Sequence, residues 1–131
     1  MYELRVRSTF AAAHRLHNYP DKCQRLHGHT WEVEIVVASP ELNDAGMLVD
    51  FSVLKRELRE VTAVFDHCLL NDLPPFNRGG PENNPTAENL ARLIFDALSP
   101  RFAKYRPPVK LTGVTVWESP VAAAAYRGPQ P

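Results

Sequence analysis

The stretch Cys23-Gln24-Arg25-Leu26-His27-Gly28-His29-Thr30-Trp31-Glu32-Val33-Glu34-Ile35-Val36-Val37 carries two patterns at once. In its second half Trp31, Val33, Ile35 and Val37 fall on every second position, with Glu32 and Glu34 between them, the period of a strand with one buried face. Its first half sets a thiol and two imidazoles, the latter at i and i+2, on the approach to that strand. These ligand types suit zinc. Side chains two apart project the same way, so His27 and His29 extend the apolar face that runs from Trp31 to Val37.

On the N-terminal side the same period appears again. Tyr2, Leu4, Val6, Phe10 and Ala12, with Glu3, Arg5 and Arg7 interleaved, predict a first strand ending near His14, which shares the inward parity. Arg15 to Leu26 contains Asn18, Pro20 and Asp21, shows neither period and reads as a loop. If the two strands are antiparallel neighbours, the end of the first lies beside the start of the second, and three of the chain's five histidines meet at one rim of the sheet. A bulge between Phe10 and His14 would turn the first imidazole away.

Ser39-Pro40 stops the second strand, and Glu41 to Gly46 is rich in turn formers. Asp50 or Ser52 then caps a helix whose apolar residues Phe51, Leu54, Leu58, Val61 and Phe65 are three and four apart, running out near Asp66-His67-Cys68. Asn71 to Asn84 reads as a long irregular loop of the kind that often carries function. A second helix is expected from Asn84-Pro85-Thr86, with the proline at or near its first position, to Ser99-Pro100; Leu90, Leu93, Ile94, Ala97 and Leu98 form its apolar face. After a connection from Arg101 to Pro108 come a third strand, Val109 to Glu118, a turn at Ser119-Pro120 and a short strand, Val121 to Tyr126. The order is ββααββ, and Gly128 to Pro131 reads as a frayed tail.

Composition narrows the function classes. At 131 residues the chain is expected to form one domain, 1–131, around one core. Fifteen basic and fifteen acidic residues leave a formal net charge of zero, which speaks against nucleic acid or an anionic membrane as partner. The N-terminus alternates apolar with charged residues, and no window approaches the ~18 apolar residues of a membrane span. Neither secretion nor insertion is expected, and the two cysteines, Cys23 and Cys68, read as reduced thiols of a cytoplasmic protein.

The candidate chemistry follows from the residue types. Three imidazoles, His14, His27 and His29, leave a fourth position on zinc for water or substrate, as catalytic sites require. Cys23 beside a cation can be a base or nucleophile, a fourth ligand that closes the site, or a buried structural thiol. Asp66-His67 pairs a carboxylate with an imidazole, as a relay or as a solvated helix end; consecutive helical residues do not face each other, so a relay needs non-helical backbone there. Glu88 suits the first turn of a helix for dipole reasons alone. Glu118 closes a strand of Val114, Val116 and Trp117, where it can accept two N–H donors from a heterocycle or simply end the strand; both parities of that strand are apolar, so its face is open.

Phe10-Ala-Ala-Ala-His14, Cys23-x-x-x-His27-Gly-His29, Gly46-Met-Leu-Val-Asp50-Phe51, Asp66-His67 with Leu70-Asn71, Pro85-Thr86-Ala87-Glu88-Asn89, and Glu118 before the Tyr126 strand occur in this order over nearly the whole chain. Together they resemble the 6-pyruvoyltetrahydropterin synthase and 6-carboxytetrahydropterin synthase superfamily. The resemblance implies an α+β tunnelling fold, a four-stranded antiparallel sheet with two helices on one face. It also implies a homohexamer of paired trimers with active sites between subunits. His14, His27 and His29 match its Zn2+ ligands, Cys23 its catalytic base, Asp66 and His67 its proton relay, Glu118 its pterin anchor, and Thr86 and Glu88 further pterin contacts. The implied substrate is the small molecule 7,8-dihydroneopterin triphosphate. Three residues between Cys23 and His27 resemble the bacterial 6-carboxytetrahydropterin synthases, which release triphosphate and acetaldehyde for queuosine or other 7-deazapurine synthesis. The alternatives are pyruvoyl synthase chemistry, a zinc hydrolase and a noncatalytic pterin binder. His17 and Cys68 go beyond the pattern, and Arg15, Lys22 and Arg25 are candidates for the triphosphate by proximity.

Overall fold

Strand β1, Tyr2–His14, pairs antiparallel with β2, His27–Ser39, without interruption from Tyr2↔Ser39 to His14↔His27. This computed structural model describes residues 1–17 and 25–129. Beyond β2 the described elements are helix α1, Phe51–Thr62; a two-residue strand β3, Cys68–Leu69; helix α2, Ala87–Leu98; β4, Lys110–Ser119; and β5, Ala122–Tyr126. The sheet order is β3-β1-β2-β4-β5. The four long strands are antiparallel neighbours, and β3 adds a fifth, parallel to β1 through Ala12↔Cys68 and Ala13↔Leu69. The expected four-stranded sheet is therefore corrected to five. Two residues are too few to leave a hydrophobic period in the sequence, so β3 was not legible there.

Each helix starts where a side chain takes over an orphan backbone donor. Asp50 Oδ1 accepts from Ser52 N at 2.7 Å, and Thr86 Oγ1 from Asn89 N at 3.1 Å. Thr86 is the cap and Pro85 directly precedes it, near the start of the helix as expected. α1 ends at Thr62 and passes through turns into His67, earlier than the apolar spacing through Phe65 suggests. The loop from Asn71 to Asn84 is partly ordered by single 3-10 turns, Leu70–Asp72 and Pro81–Asn83.

Both helices cover one face of the sheet. Trp31, Val33, Ile35 and Val37 of β2 are fully buried there against Leu54 and Leu58 of α1 and Leu90 and Ile94 of α2. On the other face Arg5 and Arg7 reach Glu34 at 3.1 and 2.8 Å. The alternation of β4 is broken twice, at Thr112 against β2 and at Glu118 against β5. Val36 pairs with Gly113 but Val37 with Leu111, so Thr112 is an extra residue. Before the first bulge Val109 and Leu111 point inward; after it Val114 and Val116 do. The tail is not frayed at its start: Gly128 takes φ +81°, and a Cβ there would lie 2.9 Å from the Phe95 ring of α2. The last two residues of the expected tail lie outside the described ones.

Candidate metal centre and adjoining cleft

The unbroken β1–β2 register places His14 opposite His27 and His29 opposite Ala12, so all three imidazoles emerge at one rim on the inward face. Trp31 forms their floor, its ring 5.0 Å from that of His14 and 5.3 Å from that of His29. The Trp31 indole N–H donates to the Ala12 carbonyl at 3.2 Å, which fixes the floor to β1. Glu118 joins from β4, and one ligand atom from each of His14, His27, His29 and Glu118 lies within 4.8 Å of the others.

Backbone carbonyls decide which nitrogens face the centre. His14 Nδ1 lies 2.8 Å from the Pro85 oxygen and His27 Nδ1 2.7 Å from the Arg25 oxygen. A carbonyl only accepts, so both rings carry a proton on Nδ1, which leaves Nε2 facing inward as the nitrogen free to ligate. Those two Nε2 atoms stand 3.0 Å apart. Two ring nitrogens in that position can share a cation between them. His29 Nε2 is buried without a hydrogen-bond partner, a cost a bound cation would remove. Burial, the largest cause, pushes the His14 and His29 pKa values below the ordinary 6.5; Pro85 and Glu118 oppose it at His14. The donor set therefore fits zinc: neutral imidazoles with outer carbonyls that lock the tautomer.

Asp66 and His67 sit at the other edge of β1. Asp66 Oδ1 accepts from Ala11 N at 3.0 Å, and His67 N donates to the Ala11 oxygen at 2.6 Å, so the pair grips one residue of the strand from both sides. His67 has φ 58°, left-handed for a non-glycine residue. This departure from helical geometry brings its Nδ1 within 3.1 Å of Asp66 Oδ1. The bond from Ala11 is the main cause that lowers the Asp66 pKa below its ordinary value, with His67 adding to it. The His67 side chain is 82% exposed and projects into solvent. Cys68 Sγ donates to the Asp66 carbonyl at 3.3 Å.

Cys23, the candidate base, and Lys22 lie outside the described residues. A cleft of about 570 Å³ opens beside the cluster, bordered by His29, Thr30, Glu32, Trp117 and Glu118. Glu88 shares a smaller cavity of about 220 Å³ with Glu118 and Ala122 to Ala124. The Thr86 oxygen is engaged as the helix cap. His17 does not join the cluster: its backbone is held by the Asn84 side chain, which accepts from His17 N at 2.8 Å and donates to its carbonyl at 3.2 Å. Asn71 does the same for Arg15, both contacts at 2.9 Å. These two asparagines continue the edge of β1 without a strand. The sequence pattern includes Asn71 and Asn84 but not this role, because asparagine in a loop reads as a turn former, and nothing in a sequence marks the Pro85 and Arg25 carbonyls.

Comparison with known proteins agrees with this geometry. Residues 3–129 match the family model for 6-pyruvoyl tetrahydropterin synthase. The 6-carboxy-5,6,7,8-tetrahydropterin synthase of Bacillus subtilis is 36% identical over 127 residues, covering 96% of this chain and 85% of that one. The protein of the same name from Synechocystis is also 36% identical over 127 residues, covering 93% and 90%. The 6-pyruvoyl tetrahydropterin synthase of Caenorhabditis elegans superimposes with a TM-score of 0.82 at 27% identity, covering 98% of this chain and 96% of that one. With its two helices on one side of a mixed sheet dominated by antiparallel pairs, the chain has the α+β tunnelling fold and belongs to the 6-pyruvoyl tetrahydropterin synthase family.

Proposed function

We propose that the chain is a zinc-dependent lyase that converts 7,8-dihydroneopterin triphosphate to 6-carboxy-5,6,7,8-tetrahydropterin, with loss of triphosphate and acetaldehyde. The observation that carries this reading is the convergence of three Nε2 atoms beside a carboxylate that borders a cleft of about 570 Å³. That volume suits a bicyclic heterocycle with a short side chain. The 6-carboxy names of the two bacterial relatives favour this product.

In this reading His14, His27 and His29 hold the zinc, with Pro85 and Arg25 fixing two of the rings. Bound zinc supplies Lewis-acid polarisation of the side-chain oxygens, acidifying the neighbouring C–H bonds. Cys23 takes and returns the protons. Asp66 orients His67, which exchanges protons with the reacting side chain. The Glu118 carboxylate accepts from the 2-amino group and a ring N–H of the pterin, and Thr86 and Glu88 line its far side. The exposed His67 edge serves the site of a neighbouring chain, which gives a homohexamer with shared sites a chemical reason. The enzyme works in the cytoplasm and feeds queuosine or 7-deazapurine synthesis; among the described residues no helix is long and apolar enough to cross a membrane.

The test is to incubate the zinc-loaded protein with 7,8-dihydroneopterin triphosphate and identify the pterin and any acetaldehyde by mass spectrometry. Carboxypterin with acetaldehyde is expected, together with loss of turnover but retention of zinc in Cys23→Ala. The family-model name and the nematode structure favour a second reading, pyruvoyl synthase. A pyruvoyl product without acetaldehyde would establish it instead.

A further inference from the structure

Glu118 stands closer to the imidazoles than an anchor for a heterocycle needs to. Its Oε1 is 3.3 Å from His14 Nε2 and 3.3 Å from His29 Nε2, while His14 Nε2 is 3.0 Å from His27 Nε2. Ligands held at about 2.0–2.2 Å in a tetrahedron lie about 3.3–3.6 Å from each other. Oε1 is therefore already one tetrahedral edge from two of the three nitrogens, and all four ligand atoms fall within 4.8 Å. A hydrogen bond is a poor account of this approach. The neutral His14 ring carries its proton on Nδ1, facing Pro85, and presents a lone pair to the carboxylate. His29 Nε2 has no hydrogen-bond partner despite Oε1 at 3.3 Å.

The bulge at Thr112 supports the same conclusion from the backbone. Without that extra residue β4 would keep the parity of Val109 and Leu111, and Val114 and Val116 would face away from the helices; a second irregularity passes over Glu118 in the pairing of Trp117 with Ala123 and Ser119 with Ala122. With both, Val114 and Val116 line the inward face and the Glu118 carboxylate stands at the level of the histidines.

We infer that Glu118 is a fourth metal ligand in the substrate-free enzyme and that the arriving pterin displaces it. The displacement step rests on the synthase reading above. A 2-amino group and a ring N–H side by side need both carboxylate oxygens, as a guanidinium does, and a carboxylate so engaged cannot keep Oε1 on the metal. The resting centre is then closed, with three nitrogens and one oxygen. The position would open only when the heterocycle is in place, so that His14, His27 and His29 would present a bound metal to the substrate's side chain and not to water. This gives one residue two successive partners and couples binding of the ring to availability of the metal.

The test uses the full chain loaded with Co2+ in place of zinc, whose visible bands report coordination number and donor set. Wild type is expected to show the intense bands of a four-coordinate centre. Glu118→Gln and Glu118→Ala should both alter them, and zinc affinity, measured against a chromophoric chelator, should fall at least about tenfold. Neopterin, which lacks the triphosphate, should weaken the wild-type bands as Glu118 leaves and coordination rises. Bands and affinity unchanged in both variants would overturn the assignment. Neopterin binding, followed by its fluorescence, with wild-type bands unmoved would overturn the displacement. Failure of any pterin to bind wild type would overturn the synthase reading and the displacement together, while altered bands in the variants would still uphold the ligand.

Discussion

Below Trp31 the inward face of the sheet presents Val33, Ile35, Val37, Val114 and Val116, all fully buried against the helices. Above it the same strands, at the same parity, present His14, His27, His29 and Glu118, with Glu118 38% exposed. The backbone does not distinguish the two regions: the β1–β2 register runs through both without a break. The lower region satisfies itself by excluding water. The upper one collects lone pairs that remain a cost until something cationic joins them. The packed residues and the candidate metal ligands therefore occupy two zones of one surface.

The largest effect should come from breaking the upper region alone. His27→Ala removes one of three nitrogens at a half-buried position and leaves Trp31 and everything beneath it in place. Metal content measured by mass spectrometry should fall to background. Turnover should drop by about 10³-fold or more, the equivalent of several kcal/mol of lost charge stabilisation. Urea unfolding of the metal-free variant should match metal-free wild type to within ~0.5 kcal/mol. A large loss of metal-free stability would show that the two regions are one.

The converse variant is Ile35→Ala, in the fully buried lower region. It should cost about 2–5 kcal/mol in urea unfolding, the usual range for deleting a buried isoleucine side chain, through lost burial and the cavity left behind. Zinc stoichiometry of the folded fraction should be unchanged. Loss of metal from a still-folded Ile35→Ala protein would mean that the cluster depends on packing beneath Trp31.

How far the sequence already showed this division follows from where its signals are periodic. Parity carries over many residues in β1 and β2, so the dry face and the convergence of His14, His27 and His29 were both legible. It failed in β4, where Thr112 resets the alternation and makes both parities apolar, and so Glu118 could not be placed until the pairing was seen. β3 was hidden because pairing Cys68 and Leu69 with β1 needs no pattern of its own. The turn at His67 was legible only as a requirement: a relay demanded non-helical backbone, and φ 58° supplies it. Cys23, the residue the sequence pattern singles out most strongly after the histidines, lies outside the described residues.

A smaller effect should appear where the two regions are joined. The Pro85 carbonyl that holds His14 Nδ1 comes directly before Thr86, the cap of α2, so the helix that covers the lower region also braces the upper one. Thr86→Ala removes the acceptor for Asn89 N and should cost about 1 kcal/mol in metal-free unfolding. Zinc affinity should fall only slightly, because the carbonyl itself remains. A zinc affinity that drops as far as in His27→Ala would place the weak point of the centre in the helix start and not in its ligands.

The smallest effect concerns the exposed edge, which belongs to neither region. Asp66 has its pKa lowered from 3.8, first by the Ala11 N–H and then by His67. Its charged form is therefore favoured by folding, and the unfolded chain binds the proton more readily. The stability it contributes is complete above the ordinary value of 3.8 and is lost as pH falls through the lowered one. Asp66→Asn keeps an oxygen for Ala11 N but has no charge to lose. Urea midpoints of metal-free wild type should therefore fall more steeply than those of the variant as pH drops from the ordinary value of 3.8 through the lowered one. Metal-free protein is needed because protons also compete with zinc for the imidazoles, which would place an acid dependence of the upper region on top of this one. Identical acid limbs in the two proteins would mean that the grip of Asp66 on Ala11 persists in the unfolded chain or contributes nothing to holding the turn.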